Sequence, residues 1–299
     1  MGKINPGVKN VVVLLLLLSI LAGGYLYLNR KEKGQEATLM DMAGEMETKA
    51  TDDYVRYFGR IPDVGMIKCE GLVIYYPEKE GNSFVPYPFF VTTPDKKEML
   101  IARTMIAGLP SRAMGEYVNP IYRGWGELED VNVSGKTLNI VIKSGITPKK
   151  EDLTDTARAF FITYKQFYGE LENVILHAGS EGKVEVASPG ITVQEPGPPV
   201  ILDAFLVSHE GEEEAHELRI LFDRPVMIQD LTIEKAGGKR MDGKVYLAEF
   251  SMAGIFKHGG GEAVEEGDTF TIRYAVHDYL GRKSEGEMSF TARVEVHPG

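Results

Sequence analysis

The sequence predicts an α+β protein in three parts: an N-terminal transmembrane helix, a two-layer α+β domain and an antiparallel β-sandwich. Three observations predict it. Val11 to Leu28 reads VVVLLLLLSILAGGYLYL, without one charged residue. Between residues 66 and 190 the apolar spacing switches between period two and helical period, in the order strand, strand, helix, hairpin, helix, strand. Beyond Ile201 the chain is a series of short, often alternating runs separated by Gly, Asp and Glu turns, with no helical spacing.

The apolar run fits a bilayer. Eighteen helical residues reach about 27 Å, against a hydrocarbon core of about 30 Å. A helix satisfies its own peptide groups in lipid, and Tyr25 and Tyr27 stand at the end of the run, where aromatic rings settle at headgroups. Val11 and Leu28 therefore bound the expected membrane anchor, within residues 1–30. The alternative is a cleavable signal peptide, with Val11 to Leu21 as its apolar core and Ala22-Gly23-Gly24 as a processing site. Lys3 and Lys9 precede the run, and Arg30, Lys31 and Lys33 follow it. That balance does not orient the helix. A short basic N-terminus ahead of a long polar chain is the layout of an exported protein. The expected location is the cytoplasmic membrane, single pass, with the bulk of the chain extracytoplasmic.

Composition narrows the function. The 299 residues are 43% hydrophobic, enough for a sizeable core, and carry a formal net charge of −11. Residues 196–299 alone carry −8, which argues against nucleic acid as a partner, since that needs a basic face. The lone Cys69 excludes an internal disulfide.

Residues 31–65 read as an acidic tether containing a short helix at most, because Leu39, Met42 and Met46 make only a thin apolar stripe. MIKCEGLVIYYP is a strand. FVPYPFFVTT is a second extended piece, confined to an edge by Pro86 and Pro88. Thr93, Pro94 and Asp95 start a helix whose face carries Met99, Ala102, Met105, Ile106 and Leu109, closed by Gly108 and Pro110. Leu128, Val131 and Val133 face Leu138, Ile140 and Ile142 in a hairpin turning at Ser134-Gly135. A second helix, about 152–168, carries Leu153, Ala157, Phe160, Phe161, Tyr164 and Phe167, and a strand and a glycine turn follow it. With helices covering one face of a small sheet, the expected architecture is two layers.

These segments carry a family resemblance. The strand ending IYYP, the helix ARTMIAGLPS, the hairpin LEDVNVSGKTLNIVIKS and the run ARAFFITYKQFYGELENVILHAGSEGK together resemble the GerMN domain of sporulation and spore-germination proteins. The resemblance covers about residues 66–187, and the domain is placed at 66–190. One departure is that Lys143 precedes Ser144, where many members carry an acidic residue. After the Pro- and Gly-rich joint EVASPGITVQEPGPPV, residues 198–299 form the sandwich domain. Its LRILFDRPV and FTIRYAVHDYLGRKSEG resemble bacterial Ig-like domains of cell-envelope proteins, through the strand end Phe222 to Val226 and the turn Asp278 to Gly281.

The search for chemistry returns no catalytic, cofactor-binding or metal-ligating residue. His209 and His216 stand seven apart across an acidic turn, not on one helical face as a zinc protease requires. HGGGE at 258–262 lacks the Lys-Ser/Thr and helix of a phosphate loop. Cys69 lies in a strand pattern as a core residue, and His177 near Ser180 reads as a packed or edge histidine. Among the aromatics Tyr75, Tyr76, Phe84, Tyr87, Phe89 and Phe90, most are expected in the core. Trp125, between Gly124 and Gly126, is the candidate partner-face residue, because aromatics anchor interfaces. The expected function is a non-catalytic, membrane-anchored cell-envelope scaffold or interaction module. The resemblance implies sporulation or germination, with other envelope proteins, or further copies in a homo-oligomer, as partners. The alternative is a cell-wall (peptidoglycan) binding or hydrolase-accessory protein, with no cofactor in either case.

Overall fold

Among the described residues, the β-branched and aromatic runs form strands that distribute over four sheets. The computed structural model describes residues 47–63, 67–92, 97–124, 126–146, 148–179, 182–187, 190–209, 217–258 and 265–297. The expected anchor from Val11 to Leu28 lies outside the described residues, as do Trp125 and the helix start at Thr93. No helix among the described residues is long and apolar enough to cross a membrane. The described chain is mostly β, with helices confined to its first part.

That first part holds two sheets, not the single sheet expected. One has the order β1-β2-β3-β8, from β1 (Lys49–Ala50), β2 (Glu70–Pro77), β3 (Ser83–Val91) and β8 (Thr192–Val193). The other has the order β4-β5-β6-β7, from β4 (Gly126–Ser134), β5 (Thr137–Ser144), β6 (Asn173–Ala178) and β7 (Gly182–Ala187). The helices are α1 (Asp52–Phe58), α2 (Lys97–Ala107) and α3 (Lys150–Lys165). Within the second sheet β5 pairs with β6 in parallel. A parallel pair needs a crossover, and α3 supplies it. The broad apolar face of α3 then serves both sheets, packing on β6 and β7 on one side and on β2 on the other. Leu153, Ala157, Phe160 and Tyr164 are all buried there.

Local chemistry explains the strand details. β8 covers only Ser83 and Phe84 of β3, so Pro86 and Pro88 lie where β3 is open, as expected of prolines. The hairpin turns at Gly135, whose φ of 59° suits glycine. The three-residue step from Leu128 to Val131 breaks strand periodicity, and a register shift between Leu128 and Asp130 restores it.

A packed helix lies inside the expected tether of residues 31–65, a correction to the sequence reading. Thr51 caps α1 by accepting the Tyr54 N–H, and Asp52 and Asp53 favour the positive end of the helix. Tyr54, Tyr57 and Phe58, at helical spacing, are buried in the first core. Their burial stabilises residues a solvated tether would leave exposed.

The second part is a β-sandwich. One sheet has the order β13-β14-β10-β9-β17, from β13 (Gly243–Ala248), β14 (Ala253–His258), β10 (Glu217–Phe222), β9 (Ile201–His209) and β17 (Val294–His297). The other has the order β12-β11-β15-β16, from β12 (Lys239–Arg240), β11 (Val226–Lys235), β15 (Thr269–Asp278) and β16 (Lys283–Thr291). Inward residues of both sheets, among them Ile220, Phe222, Phe256, Ile233, Phe270 and Ile272, share one core. Thr48–Gly299 is one compact unit, so the two parts meet in a shared junction.

Candidate functional site

The junction is built from an ionic weld and an apolar cleft. The weld starts at the β15–β16 turn. Asp278 is almost fully buried; its Oδ1 accepts the N–H groups of Leu280 (3.0 Å) and Arg282 (2.9 Å), which shapes the turn. Its Oδ2 accepts Arg282 Nε at 2.5 Å, and the Arg224 guanidinium lies 3.7 Å away. Asp223 pairs with Arg224 as well, so two carboxylates face two guanidinium groups. A buried charge persists only when paired and hydrogen-bonded, and here every partner is supplied.

Both arginines then reach the first part. Arg282 donates through Nη1 to the Pro196 carbonyl (2.8 Å) and through Nη2 to the Tyr57 carbonyl (2.5 Å). Arg224 donates to the Gly197 carbonyl (2.8 Å) and lies over the Phe58 ring. The C-terminus of α1 and the Pro-Gly joint are thereby fastened to the sandwich. Arg56 pairs with Glu195 beside them. Gly59 closes α1 at φ 79°, and a Cβ there would sit 2.8 Å from the Tyr279 carbonyl oxygen, so the contact requires glycine.

The cleft, of about 390 Å³, lies between the end of α2, the outer half of β3 and the β13–β14 turn. Tyr87, Phe89 and Phe90 line one side and Leu202, Phe250 and Met252 the other. Phe90 and Phe250 stack across the junction, centroids 4.2 Å apart. The β13–β14 turn holds Phe250 there at a cost: Glu249, Phe250 and Ser251 all have positive φ (50°, 56° and 62°). Glu249 is tied to Arg219 at 3.1 Å, and the Ser251 carbonyl accepts the Val226 N–H. Such a turn persists only where its surroundings over-determine it.

Electrostatics in the cleft are quiet. Burial pushes the Tyr76 and Tyr87 hydroxyls far above the ordinary phenol range, so both stay neutral. The Tyr76 hydroxyl is buried without a hydrogen-bond partner. The lining is mostly apolar and aromatic, with Thr104, Ser111 and Glu249 as its polar members, which suits apolar recognition.

Of the aromatics singled out from sequence, Tyr75, Tyr76 and Phe84 are core, whereas Tyr87, Phe89 and Phe90 are half-buried around the cleft. Trp125, the candidate partner-face residue, lies outside the described residues. Cys69 is fully buried, and burial pushes its thiol up, which disfavours the thiolate. His177 stands on β6 opposite Lys183. The turn between His209 and His216 lies outside the described residues, as does Gly259 to Glu262. No group of three metal-ligating side chains occurs among the described residues. Sequence reading missed Phe250, Leu202 and Met252, because nothing local marks a residue as facing another part of the chain. Arg224 and Asp278 were noted only as parts of Ig-like signatures, and the structure brings them together.

No family model and no curated protein matches the chain. Among solved structures, the chain is similar to the crystal structure of CopC from Methylosinus trichosporium OB3b, at 16% identity and a TM-score of 0.23. That match covers 32% of this chain and 95% of that one. A likeness of this size carries no argument about function.

Proposed function

We propose that the protein is a non-catalytic, membrane-anchored cell-envelope protein that acts as an interaction or scaffold module in sporulation or spore germination. The observation that carries this reading is the junction. Two differently built parts are welded through Arg224, Asp278 and Arg282, and between them lies an aromatic cleft. Rigid aromatic surfaces lose little conformational entropy when a partner binds, and preorganisation raises affinity. The apolar run from Val11 to Leu28 would hold this body at the cytoplasmic membrane, with the bulk of the chain outside. The GerMN-like and Ig-like resemblances of residues 66–190 and 198–299 support the envelope and sporulation context. Trp125 remains the proposed partner-face residue, and partners would be other envelope proteins or further copies of the chain.

In-cell crosslinking of a tagged full chain under vegetative and sporulating conditions tests the reading. Recovery of a defined envelope protein, or of a crosslinked homo-oligomer, supports it. Recovery of background alone under both conditions counts against it.

A second reading, cell-wall binding or hydrolase accessory, is favoured by one observation: the aromatic lining of the cleft could stack on a glycan or peptide. Sedimentation of the detergent-solubilised full chain with isolated peptidoglycan separates the two. Saturable co-sedimentation selects wall binding.

A further inference from the structure

The segment that carries α1 touches every part of the junction. Thr51 Oγ1 donates to Gln166 Oε1 (2.9 Å) at the end of α3, and Asp53 accepts the Tyr75 hydroxyl (2.6 Å). The Tyr57 carbonyl accepts Arg282 from the sandwich, and Arg60 lies over the Tyr279 ring. Tyr54 packs edge-on against Phe90 (5.6 Å), the ring that stacks on Phe250 in the cleft. One short element therefore supports the weld and backs the aromatic wall of the cleft.

Its own means of staying folded are small. α1 has seven residues and β1 two, well below the length at which a helix stands alone in water. Its docking depends on the junction, and the junction depends on its docking. Such mutual dependence makes a cooperative unit that opens as a whole, below the global stability of the protein.

We propose that residues 48–60 are a strap with two states: docked, it welds the two parts and holds Phe90 against Phe250; undocked, it releases both. In this scheme the strap regulates the cleft, and that consequence rests on reading the cleft as the interaction surface. The coupling itself does not.

Hydrogen exchange on the detergent-solubilised full chain tests the coupling. The Arg282→Gln variant removes the bond to the Tyr57 carbonyl together with the bonds to the Pro196 carbonyl and Asp278. The expected result is an increase of about tenfold in exchange at Val55 and Gly59. The same increase is expected at Phe222, Val226 and Met252, whose N–H groups bond to the β13–β14 turn, with β5 and β6 unchanged. Faster exchange at Val55 and Gly59 with no change at Met252 would overturn the proposal, as would a uniform rise that includes β5. Should the variant fail to fold, wild-type exchange against low denaturant decides the matter. One shared isotherm for Val55, Gly59 and Met252 supports the strap, and separate isotherms refute it. Partner crosslinking bears on the interaction reading alone, so the two can fail independently.

Discussion

The Gln166 side chain closes the open edge of β2 by pairing with both backbone groups of Val73. Its Oε1 accepts the Val73 N–H at 3.1 Å, and its Nε2 donates to the Val73 carbonyl at 2.7 Å. The amide does what a neighbouring strand would do beyond β1, whose two residues reach only Glu70 and Gly71. Val73 is fully buried, so neither group has water as an alternative. Gln166→Ala should cost about 2–4 kcal/mol, from two buried groups left unpaired. Urea unfolding of the variant against wild type measures it.

Gly59 predicts a second sensitivity. With φ at 79° and the Tyr279 carbonyl oxygen 2.8 Å from where a Cβ would sit, Gly59→Ala adds left-handed strain and a backbone clash. About 2–4 kcal/mol of destabilisation is expected. Gly135→Ala, at φ 59° with open space around it, should cost only about 1 kcal/mol. Equal losses at both positions, read from denaturation midpoints, would show that the junction contact contributes nothing.

The β13–β14 turn yields a prediction of the opposite sign. Ser251 sits at φ 62°, and its backbone carbonyl is what bonds to Val226. Ser251→Gly should therefore stabilise the protein by about 0.5–1 kcal/mol. Phe250→Gly relieves similar strain but removes the stack on Phe90, and should be destabilising on balance. Thermal melts of both variants check the pair of signs.

Glu98 predicts an acid limb. The Tyr168 hydroxyl donates to its Oε1 at 2.6 Å and holds the carboxyl below the usual range. A carboxyl whose folded pKa is depressed contributes stability above its unfolded value, about 4.3, and loses it as pH falls through the folded pKa. Tyr168→Phe removes the donor. Its urea midpoint should fall less steeply than that of wild type below about pH 4.3, and the difference should be largest near neutrality. Parallel midpoint profiles for the two proteins would contradict this.

The sequence was legible where structure is local. Alternation placed β5, because Leu138, Ile140 and Ile142 share a buried face, and helical spacing placed α3 through Leu153, Ala157 and Phe160. The proline edge of β3 followed from the missing N–H. The segment 48–60 carries its own signals: Thr51 ahead of Asp52 and Asp53 is an N-cap, and Tyr54, Tyr57 and Phe58 are an apolar helical face. The thin stripe of Leu39, Met42 and Met46 ahead of them dilutes the helical period of the segment as a whole. The split into two sheets rests on which strands pair with which, a long-range choice that periodicity does not encode. The junction was invisible for the same reason. Arg282 and Tyr57 are 225 residues apart in the chain, and no pattern within either segment names the other.

The account turns on the cleft as the interaction surface of a membrane-held body. Site-specific photocrosslinking in living cells tests it most directly, with the reactive residue at Leu109, which lines the cleft, or at Lys136, on the exposed hairpin tip. The account predicts one discrete product from position 109, containing an envelope protein or a second copy of the chain, and none from position 136. Identical background from both positions, in vegetative and sporulating cells alike, would contradict it.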